Sequence, residues 1–580
     1  MISQHQSTAT DVAAQCFLNA LLRETSPWQV VEPQHADQLP CLLIPLTDNT
    51  DLRIALRYFS LCGHHHYQFP AYLCPTGESQ GEAIDFVTLV DALLQQPAIV
   101  GELPAESVAR FRQRVTDSHR NTHEAIAARP AWRQLRDKAL NFAAAEQALL
   151  CGHGFHPAPK SHEPFDTEQA RRYLPDFSAR FPLRWFAVAR QNIGGDSLGL
   201  TLQQRLQRLV AESAPQLLSE VTENVWLLPM HPWQADRLLQ QAWCQRLVAS
   251  GAVRDLGEAG ASWLPTSSSR SLYQENCTDM LKFSLSVRLT NSLRTLSLKE
   301  VRRGIRLARL AQTPQWLAWQ TRYPTMRVMQ EDGWAGLLDE QGNLQQESLL
   351  VLRVNLLQDR SQSQTNVLVA LTQSAPDGGD SLLAAAVRRL SARLAITARQ
   401  AARCWLAAYC HHVLVPLFSA EAELGMVLLA HQQNILLEMQ QDLPVGLIYR
   451  DCQGSAFSRI AQPWLETLGE GEAENRFSEQ QLLRYFPYYL LINSTLAVIA
   501  SLAAAGLATE ESLMAQVRDA LTRLRHTVPD TTCLDYVLNN LYWQCKGNFF
   551  CCLDDHNENT IADPAVIYFD FANPLYIGGY

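Results

Sequence analysis

At 580 residues the chain is too long for a single hydrophobic core and calls for two to four domains. Its 47% hydrophobic and 18% charged residues exclude a disordered or fibrous protein. The net charge of −10 argues against nucleic acid as the main partner, so an anionic ligand needs a local basic pocket.

The opening MISQHQSTATDVAAQ lacks a basic segment followed by an apolar one, which excludes an ordinary secretory signal and predicts a cytoplasmic protein. DVAAQCFLNALLRE predicts an amphipathic helix, and CLLIPL and LRIALRYF predict short strands. HHH at 64–66 is expected on a solvated loop, because three adjacent histidines point in different directions and cannot chelate one ion. Helical patterns run through ALNFAAAEQALLCG to about residue 152. Mixed strands and helices follow to roughly 400. GHGFHPAPKSHEPF, residues 152–165, carries His153, His156 and His162 at spacings that fit neither H-E-x-x-H nor a zinc finger. It reads as a loop presenting His156 and Lys160 to an anion. HPWQ at 231–234 reads as a rigid structural turn.

WLPTSSSRSLY, residues 263–273, places three serines and Arg270 after a proline, as either a flexible loop or a phosphate cradle. In KFSLSVRLT, residues 282–290, Phe283, Leu285, Val287 and Leu289 alternate with Lys282, Ser284, Ser286, Arg288 and Thr290. That period of two predicts a strand with one apolar and one cationic, hydroxyl-rich face. Asn291, Ser292 and Arg294 follow. Lys282 stands twelve residues past Arg270 and Arg294 twelve past Lys282, so folding over could bring three cations to one polyphosphate or polycarboxylate. Ser297 and Glu300 form a capping box for LKEVRRGIRLARLAQ, whose arginines read as a solvated face.

SAPDGGDSLL, residues 374–383, is a loop. LLAHQQNILLEM supplies His431, Gln433 and Asn434, and LPVGLIYRDCQG supplies Asp451. Asn and Asp at the ends of adjacent strands can hold Mg²⁺ on nucleotide phosphates. A kinase would need a catalytic Asp between the His and the Asn, and that interval holds only Gln432 and Gln433. YYLLINSTLAVIASLAAAGL, residues 488–507, is interrupted by Asn493, Ser494 and Thr495 and reads as a buried core helix, not a membrane span. The fourteen cysteines include no C-x-x-C pair and are expected reduced and mostly buried. Cys551-Cys552 keeps a ferric-siderophore-reducing protein in view, although the thiolate pair that would complete an iron–sulfur site is missing. KGNFFCCLDDHNENT, residues 546–560, offers polar groups without an assignable spacing. No Walker loop, no dinucleotide fingerprint and no nucleophile elbow occurs. These patterns predict an α+β, multidomain chain.

GHGFHPAPK, HPWQ, the serine loop ending in Arg270, KFSLSVRLTNSLRT, HQQN and RDCQG together resemble the siderophore synthetases that work independently of nonribosomal peptide synthetases, the IucA/IucC family. VMQEDGWAGL, SQSQTNVLVALTQSAPDGGDSLL, LLRYFPYYLLINST and DPAVIYFDFANPL extend the resemblance over nearly the whole chain. It implies a hand-like fold with a thumb at 1–150, fingers at 151–400 and a helix-rich palm with mixed sheets at 401–580. It further implies ATP- and Mg²⁺-dependent adenylation of citrate and condensation with an amine, and a homodimer or higher assembly. In the branch that the long motifs resemble, the amine is that of N6-acetyl-N6-hydroxylysine, in aerobactin biosynthesis. By the same resemblance Ser268, Arg270, Ser271, Lys282 and His156 fall at ATP positions. Thr290, Arg294, His431 and Gln433 fall at or near citrate positions, with Lys282, Arg294 and His431 carrying the catalysis. Asn434 and Asp451 fall beside the nucleotide and its Mg²⁺. Ser271 stands where Thr is common, Gln432 where Gly is usual and Gly154 where Pro is usual, and none of these removes a charged contact.

Overall fold

The computed structural model describes residues 10–33, 38–290, 292–360, 363–556 and 564–577. Residues 1–9 of the opening stretch, Asn291 and residues 557–560 of KGNFFCCLDDHNENT lie outside them. The architecture mixes helices with sheets in several packed units.

The N-terminal unit begins with the predicted helix, Val12–Glu24. Asp11 caps it by accepting from the N–H groups of Ala13 and Ala14. Its apolar side, including Phe17, Leu18 and Leu21, packs on an antiparallel five-stranded sheet in sequential order, Gln29–Val31 to Glu82–Ile84. The same core takes in Phe549, Cys552 and Leu553 from the far end of the chain. The HHH segment corrects its expectation. His65 is buried, its Nδ1 accepts the Ser60 N–H at 3.2 Å, and the His64 ring meets Phe155 edge-on at 4.3 Å. The turn is short enough to fold the rings inward among aromatics, so solvent is not their partner.

The middle unit is an eight-stranded antiparallel sheet. Its order is Ile193–Ser197, Gly333–Leu337, Leu350–Val354, Asp279–Phe283, Ser271–Tyr273, Val253–Pro265, Phe181–Ala189, Val225–Met230. The single strand expected from Lys282 onward is two. Asp279–Phe283 belongs to this sheet, whereas Leu285–Leu289 pairs with Ser292–Arg294 and His162–Glu163 in a separate three-stranded sheet. The backbone changes sheets at Ser284, whose hydroxyl donates to Gln346 O at 2.6 Å and accepts the Leu296 N–H at 2.8 Å. The polar face is also buried: Ser286 exchanges hydrogen bonds with Gln234 of HPWQ, at 2.8 and 3.2 Å. Alternation marks the two faces correctly, but both meet protein.

The C-terminal unit holds a large core around Trp319, Trp405, Tyr409 and Tyr449. Its four-stranded sheet joins Met326–Val328, Leu443–Tyr449, Ile435–Gln440 and Gln364–Val367. Packing therefore does not divide near residue 400, because Met326–Val328, Gln364–Val367 and the helix Leu382–Leu394 already belong here. The predicted core helix spans Glu479–Ala504 and is largely enclosed. It widens to a π-helical turn over Tyr488–Thr495, the kind of distortion often found at functional sites. The Ser297–Glu300 capping box forms. The arginines of that helix are a solvated face only in part: Arg302 and Arg309 are exposed, but Arg303 and Arg306 turn to protein. Arg306 is buried and bonds Glu470 at 2.7 Å, Asn475 at 2.9 Å and Glu474 at 3.1 Å, docking the helix onto an acidic loop. Helical spacing places these arginines on one side but says nothing of what faces it.

Candidate functional site

A cavity of about 280 Å³ opens between the middle and C-terminal units, with the segment 149–176 along one side. Its wall collects Ser268, Thr290, Arg294, His431 and Gln433, five of the residues singled out in the sequence. Lys282, Arg270, Asn434 and Asp451 form a charged network beside it.

The serine loop is a tight connection between Val253–Pro265 and Ser271–Tyr273, not a flexible segment. Thr266 N donates to Ser271 O at 2.8 Å, Ser269 takes the left-handed conformation at φ +61°, and Ser268 Oγ lies 3.1 Å from Thr266 Oγ1. Glu146 anchors it from below. That carboxylate, wholly buried, accepts the Ser267 N–H at 2.8 Å and pairs with Arg450 at 2.8 Å. Ser271 itself is buried, in register opposite Lys282.

Arg270 reaches across to the turn after Leu289 and donates to the carbonyl of Arg294 at 3.0 Å. Arg294 donates to Leu289 O at 3.1 Å and Thr290 Oγ1 at 3.2 Å, while its Nε is buried without a partner. Among the described residues neither guanidinium has a carboxylate within ion-pair distance. Burial, helped by the Arg270 charge, lowers the Arg294 pKa to about 10. Two adjacent cations, one of them desolvated and both lacking a counter-charge, are a site for an anion.

Lys282, on the adjacent strand, is almost wholly buried. Its Nζ donates to Asp451 Oδ1 at 2.6 Å and Glu331 Oε1 at 3.2 Å, and Glu331 also takes Arg353. Burial alone would raise the Asp451 pKa. The Lys282 ammonium, with Arg353 and Arg270, overrides it and holds the carboxyl below the usual range. Asp451 sits at φ +83° and receives the Asn434 amide at 3.3 Å. The strand ends at Tyr449 and the His431–Asn434 turn thus bring Asn434 and Asp451 together, seventeen residues apart in sequence.

His431 lines the cavity, and its Nδ1 accepts the Gln433 N–H at 3.3 Å. Burial depresses its pKa to about 4; Asp451 opposes the shift, and Arg450 and Arg294 add to it. The ring is therefore neutral at pH 7. The π-helical turn brings Asn493 to the same wall, where it bonds Gln432 N at 3.1 Å and His153 Nε2 at 2.9 Å. Ser494 of that turn donates to Ala430 O at 2.8 Å. The residues that interrupt the apolar run hold the His431 loop in place.

His156 does not line the cavity. It is buried and its Nδ1 accepts the Ala158 N–H at 3.0 Å, so it shapes the loop from behind. His153 and Lys160 of that segment line the wall, with Lys160 held by Asp176 and by Leu149 O at 2.7 Å. Sequence reasoning passed over Glu331, Arg353, Glu146, Arg450 and Lys546, the last on the cavity wall. Glu146, Glu331, Arg450 and Lys546 lie inside quoted segments, ALNFAAAEQALLCG, VMQEDGWAGL, RDCQG and KGNFFCCLDDHNENT, which was the available signal. Arg288 pairs with Asp555, as a structural ion pair outside the site. Cys551 and Cys552 are buried in the helix Phe549–Leu553, and among the described residues no other thiol or histidine joins them in a metal-ligand group.

The model of the IucA / IucC family matches residues 141–373, and that of the ferric iron reductase FhuF-like transporters matches 403–561. The N(2)-citryl-N(6)-acetyl-N(6)-hydroxylysine synthase of Escherichia coli is 59% identical over 99% of both chains. The Vibrio mimicus enzyme of that name is 40% identical over 97% of this chain and 94% of its own. The ATP-bound aerobactin synthetase IucA from a hypervirulent pathotype of Klebsiella pneumoniae superposes with a TM-score of 0.94 at 62% identity, covering 98% of this chain and 100% of that one.

Proposed function

The chain belongs to the IucA / IucC family, and from that premise we propose that it adenylates citrate with ATP and joins it to the amine of N6-acetyl-N6-hydroxylysine. The product is citryl-N6-acetyl-N6-hydroxylysine, with AMP and pyrophosphate released, a step in making the siderophore aerobactin. The observation that carries this reading is the pair Arg270 and Arg294, half-buried cations without carboxylates beside the Lys282–Asp451 pair, with the Arg294 Nε enclosed and unpartnered.

Citrate and ATP repel each other at neutral pH, so the site must neutralise both. Arg294 and Thr290, already hydrogen-bonded to each other, face the cavity as a fork for a citrate carboxylate. Neutral His431 adds a hydrogen bond without adding charge. Ser268, Arg270 and Lys282 stand on the nucleotide side. A citrate carboxylate oxygen attacks the α-phosphorus, the bond to the pyrophosphate oxygen breaks, and citryl-adenylate remains. Fixed cations at the departing pyrophosphate stabilise the charge that develops there. The amine nitrogen then attacks the citryl carbonyl carbon, the bond to AMP breaks, and the amine surrenders a proton. Holding both reactants in one cavity removes most of the entropic cost of that encounter.

The donors around Asp451 fit a hard dication: a carboxylate, the Asn434 amide, and Glu331, whose Oε2 is buried without a hydrogen-bond partner. Mg²⁺ held there would neutralise phosphate charge and orient the triphosphate.

The test is pyrophosphate release by purified protein, which should require citrate and ATP together, with hydroxylamine trapping the activated acyl group. Condensation should favour N6-acetyl-N6-hydroxylysine over polyamines. Release of ADP and phosphate would replace this reading with a kinase-like one.

A further inference from the structure

The N-terminal unit carries a side-chain cluster that the reaction does not use. Asp11 caps the first helix with one oxygen only: Oδ1 accepts from Ala13 N at 3.1 Å and Ala14 N at 3.0 Å. Its Oδ2 projects onto the helix Ala105–Ala127, 2.7 Å from His119 Nε2 and 3.5 Å from His123 Nε2. The two histidines are one helical turn apart on the same face, and their Nε2 atoms lie 3.2 Å from each other.

Three ligand atoms thus form a triangle with edges of 2.7, 3.2 and 3.5 Å. A tetrahedral ion with bonds of about 2.0–2.1 Å to nitrogen and oxygen needs edges of about 3.3–3.4 Å. Two of the three edges already stand close to that, and the third is shorter by a fraction of an ångström. Hydrogen bonding accounts for the triangle poorly. The Oδ2 atom only accepts, and each Nε2 is a donor or an acceptor. If both rings donate to Oδ2, two N–H groups of adjacent rings face each other at an Nε2–Nε2 separation of 3.2 Å; if only His119 donates, at 2.7 Å, the His123 edges are left without a proton of their own. One cation satisfies all three.

The surroundings are those of a built site. Oδ1 is fixed by the helix cap, which orients Oδ2, and the His119 ring lies flat on Phe86, with centroids 4.2 Å apart and planes at 13°. Such outer contacts orient ligands before the ion arrives. The His123 side chain is 44% exposed, which leaves an approach from solvent and room for a water as fourth ligand.

We propose that Asp11, His119 and His123 bind a transition-metal dication of the Zn²⁺ class through Oδ2 and the two Nε2 atoms. Two imidazoles with one carboxylate suit Zn²⁺, Co²⁺ or Ni²⁺, whereas Mg²⁺ and Ca²⁺ require oxygen ligands throughout. None of the three residues lines the cavity. The ion acts as a clasp between the first helix and Ala105–Ala127. The same helix touches the segment leading into the cavity wall, where Cys16 Sγ lies 3.9 Å from Cys151 O.

The experiment uses the full chain, stripped with a chelator and desalted, titrated with ZnCl₂ by calorimetry and with CoCl₂ by visible absorption, without nucleotide. The expected result is one equivalent bound, the intense absorption of tetrahedral Co²⁺, and a raised Tm. His123→Ala should lose more than about tenfold in affinity, since removing even an outer-shell partner costs that much. Asp11→Asn should do the same while still capping the helix. Both variants should keep the pyrophosphate-release rate of the parent, which shows that they fold. Equal Zn²⁺ affinity in the parent and His123→Ala, or Co²⁺ spectra of octahedral type, would overturn the proposal, and neither outcome touches the citrate reading.

Discussion

The strand Asp279–Phe283 carries two charged clusters at its two ends, and they are built on opposite plans. Asp279 is buried and pairs with Arg205 at 2.5 Å and Arg208 at 3.1 Å, while Arg205 also meets Asp332 at 2.5 Å. Every charge there has a partner, and the network is closed. At the other end Lys282 shares Asp451 and Glu331, and next to it Arg270 and Arg294 have only carbonyls and a hydroxyl. A buried cation with a carboxylate belongs to the fold, and one without it is stabilised only when a ligand arrives. On the proposed function, the desolvation that Arg294 bears in the free protein is offset when citrate binds.

The contrast can be broken by substitution, and the largest effect is expected at the closed end. Arg205→Ala should cost about 3–5 kcal/mol of stability, because buried Asp279 loses its main cation and half-buried Asp332 loses its ion-pair partner. Urea denaturation reads that loss, and the folded fraction should turn over normally. Arg294→Ala should do the reverse, lowering kcat/KM for citrate about 10²–10³-fold with Tm unchanged or raised. A variant that loses Tm and activity in proportion would erase the distinction between the two ends.

Next in size is acid sensitivity. Burial holds His65 at about 4 and His231 at about 3, below the ordinary histidine value of 6.5. The unfolded chain binds these protons more readily, so the stability is fully present above pH 6.5 and is lost as the pH falls toward 4. Each site should contribute about 2 kcal/mol of loss between pH 7 and 5. Thermal melts across that range should show the decline, and His231→Phe, set among Tyr173, Phe181 and Phe283, should flatten it. The smallest effect is expected for Arg288→Ala. Its ion pair with Asp555 is a third or more exposed on both sides, and such pairs contribute about 0–1 kcal/mol. A loss of activity there would move the citrate site along the strand.

Legibility in the sequence divided along physical lines. Local signals read well: the Asp11-capped helix, the Ser297–Glu300 box, the loop at 374–383 and the buried run at 488–507 depend on neighbours a few residues away. The site read partly, because Ser268, Thr290, Arg294, His431 and Gln433 do share a cavity wall although 268 and 433 are distant in sequence. What failed were the surroundings that a distant partner decides. Alternation in KFSLSVRLT reveals two faces, but only Gln234 and Gln346 decide that the serines are enclosed. Arginine spacing in LKEVRRGIRLARLAQ shows a common side, and the acidic loop at 470–475 decides that it is docked. Glu146 could not be foreseen, since its role depends on Arg450 and Ser267 far along the chain.

The return of Phe549–Leu553 to the first unit has a consequence for the order in which the protein is made. Glu24, at the end of the first helix, accepts the backbone N–H groups of Asn548, Phe549 and Phe550, and Phe549 packs on Phe17 at 5.5 Å. Glu24 and Phe549 are 525 residues apart. At about 5–20 residues per second, the ribosome delivers the second partner tens of seconds after the first. The N-terminal unit must wait through that interval with a gap in its core where Phe549, Cys552 and Leu553 will sit. Completion of the first unit is thus tied to arrival of the last, and a chain cut short before Phe549 presents an open apolar face to the cell's proteases.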